Sequence, residues 1–239
     1  MKIPIKIDPC PIAEAIIEIR FSSSFPEDAI FGILYPQLQN DFKIFEKLPI
    51  LQLPEAIRRT DQNLIYQPYS KLKKDNFLIL MGPRVFALVN LKEYSGWNVF
   101  SAKIVEIFNI VAELKIVEDI KRIGLRYVNL FENLNLFDIS SLTLNLRGEP
   151  LLPAKTDLTM ELDSDHCTSR VKMANNALVM IEKEGINGSL LDIDVEFKDN
   201  RKNFFEDIKK FSDIAHNNEK EIFFSLLKDK YLKTLNPQY

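Results

Sequence analysis

The stretch 122-RIGLRYVN-129 decides the fold. Apolar residues alternate with arginine and glycine, the period of a strand with one buried face. Ile123, Leu125 and Tyr127 share one face; Arg122, Gly124 and Arg126 share the other. An earlier stretch, 17-IEIRF-21, repeats the pattern, with Ile17, Ile19 and Phe21 on one face and Glu18 and Arg20 on the other. Both halves of the chain thus open on I-x-(I/L)-R-(F/Y).

The segments beyond the two strands are alike too. Residues 1–13 hold Pro4, Pro9 and Pro11 and read as an extended entry arm. After 15-AIIEIRF-21, Glu27 and Asp28 open a helix expected to reach Phe42 on the stripe Ile30, Leu34, Leu38 and Phe42. Pro36 is expected to kink or split it. Strands are expected at 62-QNLIYQPY-69, 76-NFLILMG-82 and 84-RVFALVNL-91, with a weaker one at 56-AIRRT-60. The amphipathic run 96-GWNVFSAKIVEIFNIVAEL-114 closes this half as a helix.

The second half expects strands at 120–131, 141–146, 156–162, 166–173, 177–183 and 189–197. Turns are expected at Asp163 and Asp165, at Asn175-Asn176 and at Gly185–Gly188. From Asn203 to Leu235 the pattern is helical, with His216-Asn217-Asn218 marking a break. The predicted fold class is α+β: two related antiparallel-sheet-plus-helix units, residues 1–116 and 117–239, packed as one body. The repeated motif and element order suggest an internal duplication.

The bulk numbers suit this. The chain has 239 residues, 46% hydrophobic and 27% charged, enough for a sizeable core. Lys and Arg number 31 against 34 Asp and Glu, so nothing in the overall charge points to nucleic acid. Cys10 and Cys167 are the two cysteines, far apart and in no C-x-x-C. MKIPIKIDPCP lacks the apolar core of a signal peptide, and no apolar run is long enough for a membrane span. The expected location is the cytoplasm.

The arginines are the first candidate site. Glu18 is a candidate partner for Arg20, Arg122 or Arg126, which makes a structural ion-pair network one reading. The other is a cleft between the units where Arg20, Arg122 and Arg126, with Glu14 and Glu18, bind a small anion such as a phosphate or nucleotide. Gly124 favours the second, because it leaves space above the sheet. In 192-DIDVE-196, Asp192, Asp194 and Glu196 share a face. Alternating carboxylates suit Mg²⁺ or Ca²⁺, and equally suit salt bridges to neighbouring arginines.

In 163-DSDHC-167 a turn is favoured over a zinc site, since the chain holds only two histidines and two cysteines. Cys167 with His216 has no orienting third group. G-x-S-x-G, G-x-x-x-x-G-K-[ST] and G-x-G-x-x-G are missing, which disfavours the familiar hydrolase, NTPase and dinucleotide chemistries. No cofactor is indicated. Trp97, in 94-YSGW-97, reads as a structural junction or as an aromatic that docks a partner.

Five segments together, 11-PIAEAIIEIRF-21, 94-YSGWNVF-100, 122-RIGLRYVN-129, 191-LDIDV-195 and 216-HNNEKEIFFSLLKDKYL-232, resemble a sporadically distributed prokaryotic family of unknown function. In that resemblance His216 lies near a helix start. The resemblance carries no catalytic residues. Its patchy occurrence implies a non-enzymatic interaction or accessory protein of a mobile or defence-type operon, partnered by another protein or by a second copy of this chain. A ligand-binding or sensor protein using the arginine cleft, and a metal-dependent enzyme using Asp192 and Asp194, are the alternatives.

Overall fold

A computed structural model describes residues 2–151, 155–181, 184–199 and 201–239. Its centre is the pair of arginine-bearing strands. β1 (Ile12–Ser22) alternates half-buried and buried positions along its whole length. β6 (Asp119–Glu132) lies antiparallel beside it, with Ile17 opposite Leu125, Glu18 opposite Gly124 and Arg20 opposite Arg122.

Each central strand leads into a helix and then a meander that returns to it. From β1 the chain passes through α1 (Glu27–Leu38), β2 (Ile44–Lys47), α2 (Glu55–Thr60), β3 (Ser70–Lys74), β4 (Phe77–Met81) and β5 (Val85–Leu91) to α3 (Trp97–Glu113). From β6 it passes through α4 (Leu136–Ile139), the small ribbon of β7 (Leu144–Leu146) and β8 (Glu149–Leu151), then β9 (Thr156–Asp163), β10 (Cys167–Ile181) and β11 (Glu184–Phe197). It ends in α5 (Ile208–Leu226) and α6 (Asp229–Thr234). The sheet order is β2-β3-β4-β5-β1-β6-β11-β10-β9, with every neighbouring pair antiparallel. The fold is α+β: a nine-stranded antiparallel sheet with helices packed on one face.

The core fills the space between that face and the helices. Ile17, Ile19, Ile123, Leu125, Ile193 and Val195 from the sheet join Leu34 of α1, Phe100, Ile104 and Phe108 of α3, and Phe223 of α5 in one cluster. Non-directional apolar burial over this area is the main stabilising term. The other sheet face carries the arginines and carboxylates on β1, β6 and β11, and the apolar Leu78, Leu80, Val85, Ala87 and Val89 on β4 and β5. Among the described residues no helix is long and apolar enough to cross a membrane.

Several local expectations are corrected. Residues 56–60 form α2 instead of a strand. Glu55 in its first turn and Arg58 and Arg59 in its last complement the helix dipole. Residues 62–69 are turns, in which Asp61 accepts from the Asn63 amide, and the strand follows at 70-SKLKK-74, where Leu72 is the buried apolar anchor. The first helix stops at Leu38 with Pro36 inside it, unsplit, and Phe42 is buried from the turn beyond.

Asn175-Asn176 is a bulge within one long β10, where the register shifts between Ala174 and Ala177. The bulge lets Asn175 Oδ1 accept from the Leu136 amide at the start of α4 and from Ser189 Oγ. Gly185–Gly188 lies inside β11, and the predicted strand end at residues 182–183 falls outside the described residues. His216-Asn217-Asn218 does not break α5. The Asn218 amide holds that turn in place, bonding Ser169 Oγ and Ser164 Oγ.

Candidate functional site: a cavity between the two halves

The polar part of the arginine-bearing face, over β1, β6 and β11, is densely paired. Arg122 lies flat along it and reaches three carboxylates: Glu18 at 2.9 Å, Glu196 at 3.0 Å, and both oxygens of Asp194 at 2.6 and 2.7 Å. Arg20 bonds Glu18 at 2.8 Å, and Arg126 forms a fork with Asp192 at 2.7 and 2.6 Å. Burial opposes the charge on Arg122, but Asp194, Glu18 and Glu196 outweigh it and hold its pKa above the ordinary value. Burial also raises the Glu14 carboxyl, against the pull of Arg126.

The space over Gly124 is not free. A Cβ there would stand 2.6 Å from the Arg122 Cζ, so the glycine makes room for the protein's own guanidinium. Glu14, Glu18, Asp192, Asp194 and Glu196 outnumber Arg20, Arg122 and Arg126, a balance that repels an anion. The ladder continues outward, where Arg170 bonds Glu161 and Lys172 approaches Asp157. Asp192 and Asp194 each have both oxygens on an arginine, and among the described residues no group of three or more His, Cys, Asp or Glu converges as a metal set.

The helix-covered side holds a different arrangement. A cavity of about 490 Å³ lies where the two halves meet. Its walls are the arm around Ile5–Ile12, the junction around Tyr94–Val99, Tyr127 and Asn129 of β6, and His216, Glu219, Lys220, Phe223 and Phe224 of α5. The arm is held down by the chain end, with the Ile5 amide on the Gln238 carbonyl at 2.6 Å and the Asp8 amide on that of Leu235 at 2.7 Å.

A hydrogen-bonded chain runs through one wall. Tyr94 Oη lies 3.3 Å from Tyr127 Oη, which lies 3.0 Å from His216 Nδ1. Trp97 stacks on His216 with ring centres 4.0 Å apart and 9° between planes, and its Nε1 donates to Asp213 at 3.0 Å. Trp97 is therefore half-buried and engaged within the protein. Burial pushes His216 down to about 4, helped by Lys220, so its ring is neutral at physiological pH. Burial raises Tyr94 and Tyr127, which stay protonated.

Glu219 has no partner. It is 5% exposed, lines the cavity, and makes no hydrogen bond or ion pair with any described residue. Burial pushes its carboxyl up to about 8, against the opposing charge of Lys220. At neutral pH it is mostly a neutral acid with a free O–H. Ser70 Oγ, Thr156 Oγ1 and Asn175 Nδ2 are the sealed unpartnered side-chain atoms among the described residues, so the Glu219 oxygens open onto the cavity, and an enclosed carboxyl facing a cavity is a pointer to function. A second, smaller hollow of about 200 Å³ lies by Phe31, Phe45 and Tyr69, with the Ser70 hydroxyl unpartnered beside it.

Of the residues singled out from sequence, Glu14, Glu18, Arg20, Arg122, Arg126, Asp192 and Asp194 come together on the polar face, while Trp97 and His216 reach the cavity. His216 lies mid-helix, not near a helix start, and the Cys167 thiol, pushed by burial to about 11, is not its activated partner. Tyr94, Tyr127 and Glu219 were missed. The available signal was a glutamate in the buried stripe Ser212, Ala215, Glu219 and Phe223 of α5. No protein-family model matches the chain, and no curated protein sequence matches it.

Proposed function

We propose that the protein binds a small, largely apolar organic molecule in the cavity between its two halves. The carrying observation is the unpartnered, buried Glu219 in an aromatic-walled space of about 490 Å³, the size and chemistry of a small-molecule site. The arginine ladder on the opposite face serves as scaffold in this reading: its guanidiniums are held by the protein's own carboxylates. Because the walls come from both halves, an occupant bridges them and stabilises their packing.

Trp97 is the chain's single tryptophan and stands in the wall, so its fluorescence reports entry directly. Titration with small alkyl and aromatic compounds is expected to change that signal saturably and to raise the melting temperature. Cys10 is exposed at the cavity while Cys167 is buried, so the same compounds are expected to slow maleimide labelling of Cys10. A signal that never saturates, with Cys10 labelled at an unchanged rate, sinks the proposal.

A further inference from the structure

We infer that the cavity's occupant is an organic monoanion, an apolar body ending in a carboxylate, whose head is held by the Glu219 acid group and Lys220. The inference rests on the ligand-binding reading above and adds the charge of the ligand.

The groups facing Glu219 decide the sign. From α5 come Lys220, the neutral His216 ring and, further toward the N-terminus, Asp213 ion-paired to Lys209. From β6 comes Tyr127 and from the junction Tyr94, both with raised pKa values to which Glu219 contributes. From the arm come Lys6 and Cys10, with Asp8 close by. The cavity thus offers hydroxyl donors and two lysines, and its one buried carboxyl is protonated at neutral pH. Lys220 makes no ion pair with a described residue, and burial depresses its pKa.

An ammonium ligand would have to deprotonate Glu219 and sit beside Lys220, losing its own hydration as well. A carboxylate does the reverse. It accepts from the Glu219 O–H, pairs with Lys220, and satisfies the otherwise partnerless acid. Its apolar body lies against Trp97, Phe223 and Phe224.

Octanoate, n-octanol and n-octylamine share an alkyl body and differ in the head. Trp97 fluorescence titrations of the full chain with each, at pH about 6 and about 9.5, are the test. Octanoate is expected to bind tightest at the lower pH and to weaken roughly tenfold or more at the higher, as Glu219 loses its proton. In Glu219→Gln the amide keeps a donor, so binding is expected to persist with a much smaller pH dependence. Preference for octylamine, or octanoate binding that ignores pH in the wild type, overturns the monoanion. If octanol or octylamine binds and octanoate does not, the monoanion fails while the ligand-binding reading stands. If none of the three perturbs Trp97, both fall.

Discussion

Arg122 holds the polar face together. Its side chain is 12% exposed, and of its three carboxylate partners Asp194 and Glu196 ion-pair no other described cation while Glu18 is also held by Arg20, so truncation leaves like charges facing each other. Arg122→Ala is expected to cost about 3 kcal/mol in urea unfolding. Glu196→Gln, at a side chain 42% exposed, is expected to cost less than about 1 kcal/mol. Gly124→Ala drives a methyl into the guanidinium and is expected to cost about 1–3 kcal/mol in the wild type and much less in the Arg122→Ala background. Equal costs in both backgrounds would show that the glycine serves something else. The alternation of residues reveals which side chains share this face. It does not reveal the pairing, because Asp194 stands opposite Arg126 in register yet is held by Arg122, which reaches diagonally along the strands. That choice depends on side-chain length and on the rival carboxylate Asp192, neither of which a period of two encodes.

Elements with long apolar stripes were legible: β1, β5, α3 and β6 all stand close to where their patterns put them. Short elements with little apolar burial were not: α2 buries no residue, and Leu72 is the one buried apolar residue of β3. The misreading of α5 hid the cavity. With a break placed at His216-Asn217-Asn218, His216 and Glu219 never shared a helix face, whereas Asn218 is tied down by tertiary hydrogen bonds that no local pattern contains. These two residues give α5 a distinctive pH response. Glu219, raised from the ordinary 4.5 to about 8, makes the folded state hold a proton that the unfolded chain loses across that interval, so stability falls as pH rises through it. His216, lowered from 6.5 to about 4, makes the unfolded state bind the extra proton between those values, so stability rises there. The slopes oppose one another up to pH about 6.5, above which only the fall remains, at no more than about 1.4 kcal/mol per pH unit until about 8. Melting curves against pH are expected to lose that alkaline fall in Glu219→Gln, and in His216→Gln to fall from about 4.5 onward. A Glu219→Gln profile parallel to the wild type would mean that Glu219 is already ionised in the folded protein.

At the scale of the whole molecule, the two halves are joined along β1 and β6 and across α3 and α5, with one apolar cluster running through both. The element order on either side of the β1–β6 seam is alike, with each central strand flanked by the last strand of its own meander. Similar units of this kind fold separately only if each covers its own core. Here β1 and β6 would each lose a neighbour on separation, exposing a long apolar edge. Nor would either half keep the cavity or the bonds from Arg122 to Glu18. We therefore expect one cooperative unfolding transition for the full chain. Ile17 and Ile193 lie in opposite halves and are fully buried. Ile17→Ala and Ile193→Ala are each expected to cost about 2–5 kcal/mol and to shift the same transition, read coincidentally by far-UV circular dichroism and by Trp97 fluorescence. If Ile193→Ala instead splits the curve into two steps, with the first half still unfolding at the wild-type midpoint, the halves are independent domains. A ligand bridging them would then stabilise their docking rather than the fold of either.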